Sequence, residues 1–307
     1  MKSLGICLGA STVSMVQAAQ ENTSGIERPI IIGFSRHPHD GNPKKTLLSA
    51  LNNLDLKSFD RIAATGRKFR NFINLSSISE PEAVEHAYGY VKPQGISCPA
   101  IVSAGGETFM IYVLDAAGRI SNVLTGNKCA SGTGEFFLQQ IRRMNVSLDE
   151  AAQWAVEASP HQVSGRCSVF CKSDCTHATN QGVPRSRVAA GLCRMMAEKM
   201  MDLLKDIPKR NIMLVGGTTR NRTMVAYLRR EIDNLIVPRE APFFEALGTA
   251  LWALDHPTRR FAGTGTLFSR QAGRFERLPP LASFRDQVVF KSMPRTTAQS
   301  GDVCLLG

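Results

Sequence analysis

Asn127-Lys128-Cys129-Ala130-Ser131-Gly132-Thr133-Gly134-Glu135-Phe136-Phe137-Leu138-Gln139-Gln140 is the stretch around which the rest of the chain is organised. A cysteine is followed by a small-residue turn and then by a helical run starting near Glu135, which sets a thiol at a helix N-terminus. Unpaired N–H groups and the positive end of the helix dipole meet there, lowering a thiol's pKa and favouring anything anionic bound to its thiolate. The same residues also read as a glycine-rich turn around a buried cysteine, a common fate of that residue type.

A second segment separates the two readings: Arg166-Cys167-Ser168-Val169-Phe170-Cys171-Lys172-Ser173-Asp174-Cys175-Thr176-His177. Thiols at this spacing share one helical stripe, because i, i+4 and i+8 lie on one face. Together, Asn127 to Gly134 and Gly165 to Phe170 resemble the BadF/BadG/BcrA/BcrD type ATPases, the activators of 2-hydroxyacyl-CoA dehydratases and their relatives in benzoyl-CoA reductase. The resemblance runs roughly from Leu4 to Pro257. It implies an α/β chain of two RNase H-like lobes, of the actin/sugar-kinase/Hsp70 superfamily, with an interlobe nucleotide cleft for ATP or ADP and Mg²⁺. It further implies that Cys129 and Cys167 of two copies hold one [4Fe-4S] cluster across a homodimer. That cluster would pass an electron to an acyl-CoA dehydratase or reductase partner.

Leu4 to Val16 reads as a β-hairpin whose turn carries Gly9, Ser11 and Thr12. Small residues there let backbone N–H groups and hydroxyls close on a phosphate. The resemblance makes this the first phosphate loop, of pattern Asp-x-Gly-Ser-Thr-Thr, with Cys7 standing where the family carries Asp. Ala100 to Leu114 repeats strand, glycine turn and strand around Gly105 and Gly106. It matches the second phosphate loop, but Ser103 replaces the first acid, Glu107 the Gln and Thr108 the second acid. Since those acids normally organise Mg²⁺ and water, slow or absent hydrolysis is expected; Glu107 reads either as the substitute catalytic group, orienting water or holding Mg²⁺, or as a solvated turn carboxylate. Asn211 to Val215 is a short buried strand leading into Gly216-Gly217-Thr218-Thr219-Arg220-Asn221 and a helix to about Ile232. Close backbone approach to a flat or anionic ligand follows, and the resemblance makes Gly216, Gly217 and Asn221 the adenosine loop.

Between these motifs, residues 26 to 35 and Asp60 to Thr65 read as strands, with helices over Lys44 to Leu54, Glu80 to Tyr90, Leu148 to Ala158 and Ser186 to Lys205. Cys193 within the last reads as a buried small hydrophobe, and His177 as a solvated helix histidine. The expected partition is a first lobe over 1–99, a second over 100–242, a small-residue helix over 243–257 returning to the first, and a basic linker or tail over 258–307.

Composition narrows the partners. The net charge of +11 would suit a nucleic-acid binder, yet aromatics are sparse and no RNA or DNA module pattern is present. Much of the excess lies in Thr258 to Gly307, where eight Arg or Lys face three acids; this reads as a solvated basic tail or a surface for an acidic partner. No run reaches the roughly 18 apolar residues that span a bilayer, and the glycine-broken stretch Leu4 to Val16 fits a hairpin better than an export signal. Eight cysteines without such a signal point to a reducing compartment, the cytoplasm. Two rivals remain: a hydrolysis-deficient Fe–S and nucleotide-binding half of a tandem activase, and a small-molecule kinase of the same superfamily. The first draws on Gly301 to Gly307, which repeats the flavour of Ser3 to Gly9 and reads as the opening strand of a further domain, with the chain loosely held from about Ala262 onward.

Overall fold

The computed structural model describes residues 1–20, 28–66, 72–126, 132–151, 158–261, 263–268 and 281–287. Two compact units are present, Met1–Ser269 and Arg270–Gly307. In the second, the described residues form a 3₁₀ segment, Leu281–Gln287; Cys304 and the strand expected at Gly301 to Gly307 lie outside the described residues.

The first unit contains two mixed sheets built on the same plan. Strands β1 (Lys2–Leu8), β2 (Thr12–Ala19) and β3 (Ile30–Pro38) form an antiparallel meander, and β4 (Arg61–Thr65) and β5 (Ser76–Ser77) add in parallel on the other side of β1. The order is β3-β2-β1-β4-β5. In the second sheet, β6 (Ala100–Ala104), β7 (Phe109–Leu114) and β8 (Ile120–Thr125) repeat the meander, β9 (Met213–Val215) adds parallel to β6, and a parallel bridge from Met213 to Ile236 continues it. This duplication is the arrangement expected of two RNase H-like lobes.

Helices fill the layers around these sheets: α1 (Pro43–Asn52), α2 (Glu80–Val91), α3 (Gly134–Arg143), α4 (Ser168–Asn180), α5 (Arg185–Leu203), α6 (Arg222–Glu231) and α7 (Phe244–Asp255). Each of the first three starts where a side chain can satisfy an orphan N–H: Asn42 accepts from Lys45, Ser79 from Glu82 and Thr133 from Phe136. A further helix opens at residue 148, where Ser147 and Glu150 bond reciprocally in a capping box; its expected continuation to Ala158 passes beyond the described residues at 151.

Alternation along β1 explains the layering. Leu4, Ile6 and Leu8 face one way, onto Val13, Met15, Ile62, Ala64 and the α1 residues Leu47 and Leu51. Ser3, Gly5 and Cys7 face the other way, toward α7. There a second core joins Val16 and Ala18 of the first sheet, Val84 and Ala87 of α2, Phe244 and Leu247 of α7, and Ile101, Tyr112 and Val215 of the second sheet. Helices α2 and α7 are therefore sandwiched between the two sheets. The outer face of the second sheet, with Val102, Ile111 and Leu214, packs against α3, α4, α5 and α6.

Gly5 is obligatory in this arrangement. A Cβ there would lie 2.2 Å from the Ala246 carbonyl oxygen and 2.3 Å from the Ala250 nitrogen of α7, so the absence of a side chain lets the returning helix sit against β1. One expectation is corrected here. Residues 263–268 are not loosely held: Leu267 is 1% exposed in the α1-side core, its carbonyl accepts from Asn74 N–H at 2.8 Å, and Phe268 bridges Ile73. An apolar side chain with a buried site on the sheet edge stays with the sheet, and the compact unit extends to Ser269.

Candidate functional site: an interlobe cleft and a thiol face

The two hairpin turns are constructed alike. Gly9 N–H donates to Thr12 O at 2.9 Å in the first, and Gly105 N–H to Thr108 O at 3.3 Å in the second. The turns face each other across the lobes so closely that a Cβ on Gly106 would sit 2.6 Å from the Ser11 hydroxyl oxygen. The start of α3 closes the same space: Gly134 and Glu135 N–H groups donate to the Gly105 and Gly106 carbonyls, and Glu135 Oε2 accepts from the Ser11 hydroxyl at 2.7 Å. The third expected loop joins them. Thr218 donates its hydroxyl to Ala104 O at 2.6 Å, and Gly216 N–H bonds Ala241 O.

Gly9, Ser11, Thr12, Gly105, Gly106, Gly216 and Gly217 are thus gathered at one interlobe locus. Asn221 is next to them but turned inward. It is 4% exposed, caps α6 by accepting from Met224 N–H at 3.0 Å, and sets its amide nitrogen 3.2 Å from the Cys193 sulfur. Its side chain therefore shapes the loop from beneath. Cys193, expected to be a small hydrophobe, is buried but also polar in use; burial pushes its thiol up to about 12, so it stays protonated. Glu107 is exposed at the tip of the second turn.

Several residues at this locus carried no signal that motif reading used. His39 is 8% exposed; its Nδ1 accepts from Gly41 N–H at 3.2 Å, and its Nε2 lies 3.1 Å from the Gly9 carbonyl oxygen, an acceptor. Its own backbone N–H reaches Ser11 O, so His39 braces the first turn at two points, one through the ring and one through the main chain. Arg36 lies in the register row Arg36–Ser14–Cys7–Thr65, which crosses the first sheet on its α7 face. Burial, then the facing Arg220 of the 217–220 turn, pulls the Arg36 guanidinium's pKa down. Two cations held near one another favour an anion between them. Finally, Glu245 in the first turn of α7 accepts from the Ser103 hydroxyl at 2.9 Å. A cavity of about 460 Å³ lined by Asn74, Ser76, Ser77, Trp252 and Arg259 lies elsewhere, at the β5 edge of the first sheet.

The thiols divide by exposure. Cys129 and its neighbours 127–131 lie outside the described residues. Cys167 is the N-cap of α4, half-buried and without a side-chain capping bond, and the next turn presents Val169 and Phe170 to solvent at 69% and 66% exposure. Cys171 and Cys175 fall on the expected stripe, but it faces the α3 and α5 core, where they are 0% and 4% exposed. Their shared hydrogen bond, reinforced by burial, holds the proton on Cys171 and raises its pKa. His177 is exposed on α4. Among the described residues no group of three or more His, Cys, Asp or Glu side chains forms a metal site, and none of the helices there is long and apolar enough to cross a membrane.

The sequence profile of the BadF/BadG/BcrA/BcrD ATPase family matches residues 14–253. The chain is 29% identical over 199 residues to the 2-hydroxyisocaproyl-CoA dehydratase activator of Clostridioides difficile, covering 64% of this chain and 74% of that protein. It is 25% identical over 263 residues to the activator of lactoyl-CoA dehydratase of Anaerotignum propionicum, covering 83% and 98%. Among solved structures, the activator of the 2-hydroxyisocaproyl-CoA dehydratase from Clostridium difficile with bound ADPNP superposes with a TM-score of 0.73 at 25% identity, over 83% of this chain and 95% of that one.

Proposed function

Because the chain belongs to the BadF/BadG/BcrA/BcrD ATPase family, we propose that it is an ATP-binding activator that delivers an electron to an acyl-CoA dehydratase or reductase partner, with nucleotide-driven lobe closure as the coupling. The observation that carries this reading is the convergence of both hairpin turns, the Gly216-Gly217 turn and the first turn of α3 on one locus. Backbone N–H groups, hydroxyls and the Arg36–Arg220 pair suit a polyphosphate, and the relative solved with bound ADPNP supports ATP as its source.

A [4Fe-4S] cluster asks for thiolate ligands. Cys167 fits: it is reachable, it begins a helix, and its sulfur is not spent on capping. With Cys129 as the second thiol, each chain supplies two ligands and the cluster needs two copies; Val169 and Phe170 are the apolar surface such a contact would cover. Bound there, the group supplies one-electron redox chemistry. The protein's part is to hold the thiolates at a helix start, and to join the segment carrying Cys129 to the nucleotide locus through α3.

The test is iron and sulfide analysis with native mass measurement after anaerobic purification. Cys167→Ala and Cys129→Ala are expected to lose the cluster, since two ligands per copy leave no reserve. Cys193→Ala should retain iron while weakening ATP binding, because it removes the partner of Asn221 beneath the loop. Unchanged iron in both ligand variants would sink the shared-cluster reading.

A further inference from the structure

Where the family resemblance places acids, this chain has none: Cys7 stands one residue before the end of β1, Ser103 one residue before the end of β6, and Thr108 just ahead of β7. A divalent cation accompanying a nucleotide seeks oxygen ligands, carboxylate above all. Cys7 cannot meet that need. Burial, then the nearby Glu245 and Glu80 charges, hold its pKa well above the ordinary thiol value, so its sulfur stays protonated. Ser103 offers only a neutral hydroxyl, and the exposed Glu107 lies out at the turn tip.

The layering delivers a carboxylate to the same place from a third element. Ser3, Gly5 and Cys7 point from the first sheet at α7, Ser3 bonding the Ala250 carbonyl at 2.7 Å. Ser103 points at α7 from the second sheet, because its neighbours Val102 and Ala104 face the opposite core. The first turn of α7 is thus wedged between the ends of β1 and β6, and Glu245 occupies it. Glu245 bonds Ser103 on one side, faces Cys7 on the other, and remains half-buried. Within α7, Phe244–Asp255, it is the one charged residue before the terminal Asp255, in a helix whose remaining face is core.

We propose that Glu245 supplies, from α7, the carboxylate that β1 and β6 lack, and that it holds the divalent cation of a cleft-bound nucleotide through the cation's water shell. The inference rests on the ATP-binding reading above. Mg²⁺ sheds water reluctantly and is commonly held by one or two carboxylates together with nucleotide phosphates, so Glu245 set back in the cleft suffices, with Glu80 the second acid whose charge reaches it. Burial, and more weakly the nearby Glu80 carboxylate, raise the Glu245 pKa, opposed by its own N–H and the Ser103 hydroxyl. An arriving cation favours the ionised form of such a group.

The test is calorimetric titration of the full chain with ATP, with and without Mg²⁺. The wild type should bind ATP about tenfold or more tightly with Mg²⁺. Glu245→Gln should lose the Mg²⁺ enhancement, measured as the ratio of its own affinities with and without the metal, and adding Cys7→Asp should restore that ratio, which no merely structural role for Glu245 would produce. Ser103→Ala, which leaves the carboxylate but frees its tether, should reduce the enhancement several-fold. An undiminished enhancement in Glu245→Gln, or no recovery from the Cys7→Asp carboxylate, would overturn the proposal while leaving ATP binding intact. A wild type that binds no ATP under either condition overturns the parent reading and this one together.

Discussion

The Ser11 hydroxyl donates to Glu135 Oε2 at 2.7 Å, and the backbone N–H of the same Glu135 donates to the Gly106 carbonyl at 2.9 Å. One residue in the first turn of α3 therefore holds both hairpin turns, one from each lobe. A phosphate arriving at the first turn would compete with Glu135 for the Ser11 hydroxyl, so ligand binding and the seating of α3 share one hydrogen bond. The segment that carries Cys129 leads directly into that helix.

Removing Ser11's hydroxyl should weaken ATP binding. A hydrogen bond to a charged group contributes about 1.5–3 kcal/mol, so Ser11→Ala is expected to lower affinity roughly 10- to 100-fold. Glu135→Gln should tighten binding, because it removes a negative charge beside the polyphosphate. Calorimetric titration with ATP reads both, and equal affinity in all three proteins would show that this turn does not contact the phosphates.

Gly5→Ala should be strongly destabilising. The added Cβ has 2.2 Å to the Ala246 carbonyl oxygen and 2.3 Å to the Ala250 nitrogen, both backbone atoms that cannot rotate away. Overpacking of this kind costs about 1–3 kcal/mol and more where backbone must shift. Urea unfolding measures it, and a loss below that range would mean that α7 slides freely on β1.

Glu245 gives stability a defined pH dependence. Its folded pKa is raised above the ordinary glutamate value, chiefly by burial. The native state therefore keeps a proton that the unfolded chain has released, so this contribution is fully present below the unfolded pKa and is lost as pH rises through the raised folded value. In metal-free buffer, Glu245→Gln should flatten that fall and be more stable than wild type near neutral pH. Unfolding free energies followed from about pH 4 to 8 test the sign.

Leu267→Ala should destabilise the first unit by about 2–5 kcal/mol, the usual cost of emptying a fully buried leucine site. The side chain is 1% exposed among Leu4, Ile6, Leu47 and Ile62. Thermal unfolding with an unchanged midpoint would show that residues 263–268 are not an integral part of the lobe.

Much of the fold is written locally. The alternation of Leu4, Ile6 and Leu8 against Gly5 and Cys7, the glycine turns at Gly9 and Gly105, and the caps Asn42, Ser79 and Thr133 act over a few residues, so they are legible without tertiary information. Repetition of hairpin and parallel strand then implies two like lobes. The spacing of Cys167, Cys171 and Cys175 determines that they share a helical stripe. It does not determine which way the stripe faces, and packing of α4 on α3 and α5 turned Cys171 and Cys175 inward.

What the tertiary structure alone decided are the pairings between distant segments: Ser11 with Glu135, His39 with Gly9, Ser103 with Glu245 and Cys193 with Asn221. By sequence, Glu245 is a lone acid in an apolar helix, and the family resemblance implies that Cys7, Ser103 and Thr108 stand where acids are expected. The relation among them exists only because Gly5 admits α7 against β1 while β6 closes on it from the other sheet. A side chain's chemistry depends on the water and charge around it, and those are set by which layers meet, a nonlocal outcome of burying every apolar face at once.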